Sequence, residues 1–197
     1  MRINGIALTA LFLLASIGAR NQVSPVTPAS KPEESIGLAL SIQADTPERS
    51  GALKLRVTLE NTGDKDVYVN LGTVLGNGRI QRPEAIRILI ADGTGGQREM
   101  HYADKDVPGV AGRMDDYPVP LRTGSTYSVA LELGDFWCPK TKEHAIVLQP
   151  GTYEVRAQFL GAGAQHDGGI PSLPYWTGTL ESEQILVEIG KKGQAPI

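Results

Sequence analysis

The chain has 197 residues, 41% of them hydrophobic, and a formal net charge of −3 at neutral pH. This mild acidity argues against nucleic-acid partners, which call for a basic patch or stripe, and against an anionic membrane surface. A single cysteine, Cys138, excludes an intramolecular disulfide, so stability must come from a hydrophobic core, and the chain is long enough to build one.

Met1-Arg2-Ile3-Asn4-Gly5 carries one positive charge, and Ile6 to Ala19 is an uncharged apolar run ending in Ser16-Ile17-Gly18-Ala19. That layout predicts a secretory signal peptide over residues 1–19, cleaved near Gly18 or Ala19. The run is short for a permanent anchor, since a bilayer span takes roughly 20 apolar residues. No cysteine follows it to carry a lipid. The expected compartment is therefore outside the cytoplasm, periplasmic or secreted. Removing residues 1–19 takes away one arginine and no acid, so the net charge moves from −3 to −4.

Residues 20–35 hold Pro25, Pro28 and Pro32 among Ser, Thr, Lys and Glu. Such a segment buries too little apolar surface to offset its ordering entropy, which predicts an extended, disordered linker. It reads equally as a spacer and as a leader remnant. A folded domain is expected over residues 36–190, followed by a flexible tail at 191–197.

Within the domain the apolar residues recur with a period of two, the mark of a strand with one buried and one wetted face. Ile36, Leu38, Leu40 and Ile42 open the series, and Leu53, Leu55, Val57 and Leu59 continue it with Lys54, Arg56, Thr58 and Glu60 between them. Asn61-Thr62-Gly63-Asp64-Lys65-Asp66 is a turn by composition. Val67, Val69 and Leu71 follow, then Ile86, Ile88 and Ile90, which end at Asp92-Gly93-Thr94-Gly95-Gly96. Gln97 to Tyr102 is the expected returning strand. Tyr127, Val129, Leu131 and Leu133 form the next run.

The clearest strand starts at the Pro150-Gly151 turn. Tyr153, Val155, Ala157 and Phe159 take one side, and Thr152, Glu154, Arg156 and Gln158 the other. A short edge strand over Tyr175 to Leu180 and a final strand at Ile185, Val187 and Ile189 complete the set. Pro and Gly total 36 residues and fall between the runs, and no window shows a capped 3.6-residue stripe. The expected fold is all-β: one antiparallel sandwich of about seven to nine strands.

Leu148 to Phe159, with its turn and Gly-x-Tyr-x-Val, resembles the tyrosine-corner strand of immunoglobulin-like and fibronectin-type sandwiches. The segment from Leu55 to Val67 is similar to the strand-turn-strand of disulfide-free exported bacterial domains. The resemblance implies that Tyr153 packs inward while its hydroxyl bonds to backbone a few residues upstream. A small bacterial group of this general shape has been linked to proteinase inhibition.

Few residues suggest chemistry. Cys138 with His144 and Asp135 invites a thiol-nucleophile reading, which needs a depressed thiol pKa and an imidazole within reach. A buried, inert cysteine is the plainer expectation. The long segment from His101 to Pro120 reads as an irregular acidic loop carrying Asp104, Asp106, Asp115 and Asp116; its oxygens suit calcium, but their spacing fits no EF-hand. His101, His144 and His166 match no zinc spacing, and no nucleophile elbow or phosphate loop is present. No catalytic residue, metal ligand or cofactor is assigned.

Two aromatic pairs remain, Phe136-Trp137 and Tyr175-Trp176. Exposed, Trp137, Tyr175 and Trp176 are binding candidates for sugar rings or a protein partner; turned inward, one of each pair plugs an end of the sandwich. The expected function is a non-catalytic binding or accessory domain that recognises a protein or glycan through its loops. The alternative is a proteinase inhibitor presenting the segment around Val107 to Pro120 or Gly161 to Pro174.

Overall fold

The computed structural model describes residues 37–45, 53–75, 78–93, 96–102, 113–144, 146–165 and 172–190. The expected signal peptide, linker and C-terminal tail lie outside the described residues, as do Asp104, Asp106 and His166.

The described fold is all-β and antiparallel. Its strands are β1 (Leu38–Asp45), β2 (Lys54–Asn61), β3 (Val67–Leu75), β4 (Ile80–Arg82), β5 (Ile86–Asp92), β6 (Gln97–Tyr102) and β7 (Met114–Leu121). They continue with β8 (Thr126–Glu132), β9 (Phe136–Cys138), β10 (Glu143–His144), β11 (Gly151–Gly161), β12 (Gly178–Glu181) and β13 (Ile185–Ile189). One 3-10 turn, Leu133–Asp135, is the only helical element among the described residues.

Three sheets share one core. A seven-stranded sheet runs β10-β9-β6-β5-β11-β12, with β13 also paired to β11. The three-stranded sheets β1-β2-β8 and β4-β3-β7 complete the sandwich-like arrangement. Leu55, Val57 and Leu59 of β2, Ile86, Ile88 and Ile90 of β5, and Val155, Ala157 and Phe159 of β11 all lie in the core. The period of two seen in the sequence is thus the pleat of three strands whose buried sides meet.

The thirteen strands among the described residues exceed the seven to nine expected, and the additional ones are β4, β7, β9 and β10. Three of these hold only two or three residues, too few for a period to show. β7 is the larger correction, because it turns part of the expected acidic loop into a strand. Its Tyr117, Val119 and Leu121 are buried, and Pro118 and Pro120 alternate with them. Proline is tolerated there because β7 is an edge of its sheet, where one side of the strand makes no ladder.

Asn61 ends β2 with no exposed surface. Its amide donates to the carbonyls of Lys65 at 2.8 Å and Leu121 at 3.0 Å, and its Oδ1 accepts the Gly63 N–H at 3.0 Å. One side chain therefore closes the turn composed of Asn61 to Asp66 and ties it to the end of β7. Opposite pairing to β7, the register of β3 shifts between Asn70 and Thr73. Gly72 sits in that bulge at φ +140°, where a Cβ would stand 2.3 Å from the Arg82 carbonyl oxygen. Only glycine fits this approach.

The Tyr153 ring is buried, and its hydroxyl donates to the Gln149 carbonyl four residues upstream at 2.9 Å. Tyr153→Phe is expected to lower stability by about 1 kcal/mol, the usual size of one lost hydrogen bond. Urea denaturation of the two forms checks this; an unchanged midpoint would mean that the bond carries no net stability.

Candidate functional site

β9 is the strand that places the first binding candidate. Phe136 and Cys138 point into the core, so the pleat turns Trp137, half-buried, to the solvent side of the seven-stranded sheet. Trp137 pairs with His144 on β10 and with His101 on β6. The His144 ring stacks on the indole, with centroids 5.5 Å apart and planes 14° from parallel. His101 meets the indole edge-on at 6.3 Å and 72°.

The same register continues across the sheet. His101 pairs with Arg87 on β5, Arg87 with Gln158 on β11, and Gln158 with Glu181 on β12. Directly paired residues share a face, so His144, Trp137, His101, Arg87, Gln158 and Glu181 form one transverse row. Five strand spacings of about 4.8 Å carry it over roughly 24 Å.

The row is held by its own hydrogen bonds. Gln158 donates to Glu181 Oε1 at 2.9 Å, and Arg156 lies against Oε2 at 3.5 Å. Glu99, two residues from His101 on β6, takes the Arg87 guanidinium and the His101 imidazole on the same Oε1. The His101 hydrogen bond is the largest influence on Glu99. Together with the Arg87 charge it outweighs partial desolvation and holds the carboxyl below its ordinary value of 4.5. Beside this cluster a depression of about 290 Å³ is lined by Gln97, Glu99, His101, Pro139 and Lys140.

The other two binding candidates go elsewhere. Tyr175 lies along β3, not on the seven-stranded sheet. A parallel bridge joins it to Tyr68, with hydrogen bonds of 2.8 Å from the Tyr68 N–H to Pro174 and from the Trp176 N–H to Tyr68. The Tyr68 and Tyr175 rings stand 5.5 Å apart, tilted by 35°. Trp176 is a core residue: it packs on Phe159 at 5.8 Å and covers Gly161, where a Cβ would fall 2.4 Å from the ring. Its ring offers no face to a ligand. The three candidates do not converge.

The thiol reading fails on the pleat. Cys138 pairs with Glu143 and points inward, whereas His144 pairs with Trp137 and points outward, so thiol and imidazole lie on opposite faces. Burial raises the Cys138 pKa, but hydrogen bonds from the Thr141 hydroxyl and backbone and the Lys140 backbone, aided by Arg98, lower it further, for a net downward shift. The calcium reading also changes. Asp115 and Asp116 sit on β7, and buried Asp116 accepts the Asn70 amide at 3.1 Å and the Gln165 N–H at 2.9 Å. No group of three or more potential metal-ligating acids, histidines or cysteines occurs among the described residues. A second concavity of about 280 Å³ beside the β3 bulge is lined by Asn70, Thr73 and Glu84, among others. Asn70 bonds Asp116, the Gly163 carbonyl and the Gly72 N–H, and Thr73 bonds Glu84, which fits a role in fixing the bulge.

Sequence reasoning passed over Arg87, Glu99, Gln97, Lys140, Gln158 and Glu181. Each is an ordinary polar residue on a wetted strand face or turn, and only the register brings them together.

Two outcomes are expected. In acid titration followed by the Glu99 carboxyl carbon shift, the carboxylate stays ionised below the ordinary 4.5, because its depressed pKa stabilises the ionised, folded form above the unfolded value. That contribution fades as pH falls through the lowered value; titration at or above 4.5 would contradict the Arg87–Glu99–His101 cluster. Second, Cys138 should resist Ellman's reagent in the native chain and react once urea unfolds it, since a depressed pKa does not help a thiol that no reagent reaches. Prompt native labelling would show the thiol to be accessible.

No protein-family model matches the chain, and no curated protein matches it either. Among solved structures, similarity is found to DesR, a β-glucosidase from Streptomyces venezuelae, in complex with D-glucose, at 12% identity and a TM-score of 0.30. β-Glucosidase 3B from Thermotoga neapolitana, in complex with glucose, gives 16% identity and a TM-score of 0.29. The alignments cover 78% of this chain but span only 15% and 17% of those enzymes. Likeness this low carries no argument about this chain's activity.

Proposed function

We propose that this chain is an exported, non-catalytic binding or accessory domain of the disulfide-free, immunoglobulin-like kind, acting in the periplasm or the medium. Its recognition surface is the solvent face of the seven-stranded sheet around Trp137. Its partner is a protein or a glycan. The observation that carries this reading is the row from His144 to Glu181, six paired residues on six neighbouring strands. A sheet face with no task beyond solubility needs scattered charges. This one concentrates an aromatic ring, two imidazoles and two glutamates locked by partners, with a depression alongside.

The site differs in kind from the loops expected at first. Side chains on paired strands hold their geometry without an ordering cost at binding, which favours affinity. The expected signal peptide supports the compartment and the Tyr153 corner the domain type; neither bears on the partner. The inhibitor reading loses one of its two segments in part, since Met114–Leu121 is paired along β3 and is not a projecting loop.

The test is capture from envelope and culture extract with the wild-type chain, Trp137→Ala and Tyr175→Ala as baits. Trp137→Ala should lose the partner that wild type and Tyr175→Ala retain, with all three melting alike. Equal capture by Trp137→Ala would sink the assignment of this face.

A further inference from the structure

We infer that the ligand of this face is an uncharged, extended glycan, an inference that rests on the binding role just proposed. Its first support is charge. Along the row Arg87 is paired with Glu99 and Arg156 with Glu181, and farther along the same face Glu154 and Glu188 add exposed acids while Lys140 adds a base. A polyanion would meet the glutamates, and a polycation the arginines and Lys140. The balance leaves a neutral ligand as the one that no fixed charge opposes.

The second support is the mixture of hydrogen-bonding groups. The depression presents the Gln97 amide, the Glu99 carboxylate, the His101 imidazole and the Lys140 ammonium around the rigid Pro139 ring. Donors and acceptors therefore lie together in one small space, where His101 Nε2 and Glu99 Oε1 are bonded to each other. A sugar hydroxyl both donates and accepts, so a polyol satisfies such a lining where a purely donating or accepting ligand would strand part of it. At about 290 Å³ the depression lies close to the lower end of small-ligand sites, the size class of a single ring and not of a folded partner.

The third support is how little apolar surface the row offers. Leu89 pairs with Glu99 and Arg156 on this side of the sheet, yet is only 5% exposed, and the exposed Leu186 stands apart on β13, paired to Glu154. Protein interfaces centre on desolvated apolar and aromatic anchors. Here the half-buried indole is the one large apolar group in the row, and His144 already covers one of its faces. What remains is a line of planar polar groups, Arg87, Gln158 and Glu181, leading away from His101 at the depression over three strand spacings, roughly 14 Å. A chain of sugar rings lies along such a line; a compact single sugar would use only its end.

The chain has two tryptophans, Trp137 on the face and Trp176 in the core, so two indole N–H signals report site and fold separately. The 15N-labelled full-length chain is titrated with cellohexaose, xylohexaose and chitohexaose, and in parallel with hexagalacturonate as the acidic control. At least one neutral hexasaccharide should move the Trp137 signal and leave the Trp176 signal in place, and it should bind more tightly than its monosaccharide. Glu99→Gln and Lys140→Ala should each weaken it by about tenfold, the size of one lost charge-assisted hydrogen bond, with the Trp176 signal unmoved.

Preference for hexagalacturonate, or no response to any neutral glycan, overturns the inference. In the second case the extract capture separates the two readings. Loss of a protein partner on Trp137→Ala keeps the face and removes the glycan, and no dependence on Trp137 removes both.

Discussion

The structure depends on how β11 satisfies both of its sides. One side pairs continuously with β5 from Tyr153 to Phe159. The other is shared between two short strands, β13 against Gly151 to Val155 and β12 against Gln158 to Gly161. The gap falls at Ala157, and Ser182 fills it. The Ser182 N–H donates to the Ala157 carbonyl, and its hydroxyl accepts the Ala157 N–H at 2.9 Å. The same hydroxyl donates to the Glu183 carbonyl at 2.8 Å, so a buried side chain stands in for a missing strand residue. A buried amide left unpaired would cost about 1–3 kcal/mol. With Ser182 in place, the longest described strand, eleven residues, runs through the sheet with no such loss.

That continuity keeps the outward residues of the sheet in one register. The pleat of β11 sends Tyr153, Val155, Ala157 and Phe159 inward and Arg156 and Gln158 outward. One missing or extra residue would exchange the two sets. The pairings from β9 to β12 carry no register shift, so a residue on one strand stands beside its counterpart on the next across the sheet. β3 is the contrast. Its bulge between Asn70 and Thr73 breaks alignment with β7, and the buried Asn70 and Asp116 are occupied in stabilising the break. The regular sheet presents a line of side chains; the bulged one turns its polar groups inward.

Much of the fold was readable because the pleat writes itself into the sequence. β2, β5 and β11 each alternate over several residues, and Asn61 stands at the turn where its side chain bonds. β7 was readable in principle: Tyr117, Val119 and Leu121 alternate, but Pro118 and Pro120 mask the pattern unless the strand is known to be an edge. That is a property of topology, not of local sequence. The site was barely readable for a related reason. Trp137 drew notice as an aromatic, while Arg87, Glu99, Gln158 and Glu181 look like any wetted strand residues. Spacing along the chain says nothing of His101 and His144, which the β6-β9-β10 register joins. Trp176 shows the converse: beside Tyr175 it looked like half of a platform, and its fate is set by Gly161, whose missing side chain makes room for the indole.

This division assigns separate physical duties to the two faces of one sheet. Inward positions such as Phe136, Cys138, Ala157 and Phe159 are wholly buried, so changes there are felt as cavities or clashes. Outward positions in the row are half-buried or exposed, and Arg87 and Glu181 make partly solvated ion pairs with Glu99 and Arg156, each contributing little to stability. The outward face can therefore change its chemistry while the core and register hold. Loops that grip a partner must be ordered at binding, whereas a row on paired strands is ordered when the protein folds. In the Glu99 cluster the carboxylate is already oriented by Arg87 and His101, so its acceptor geometry is set by the fold and not by whatever meets it.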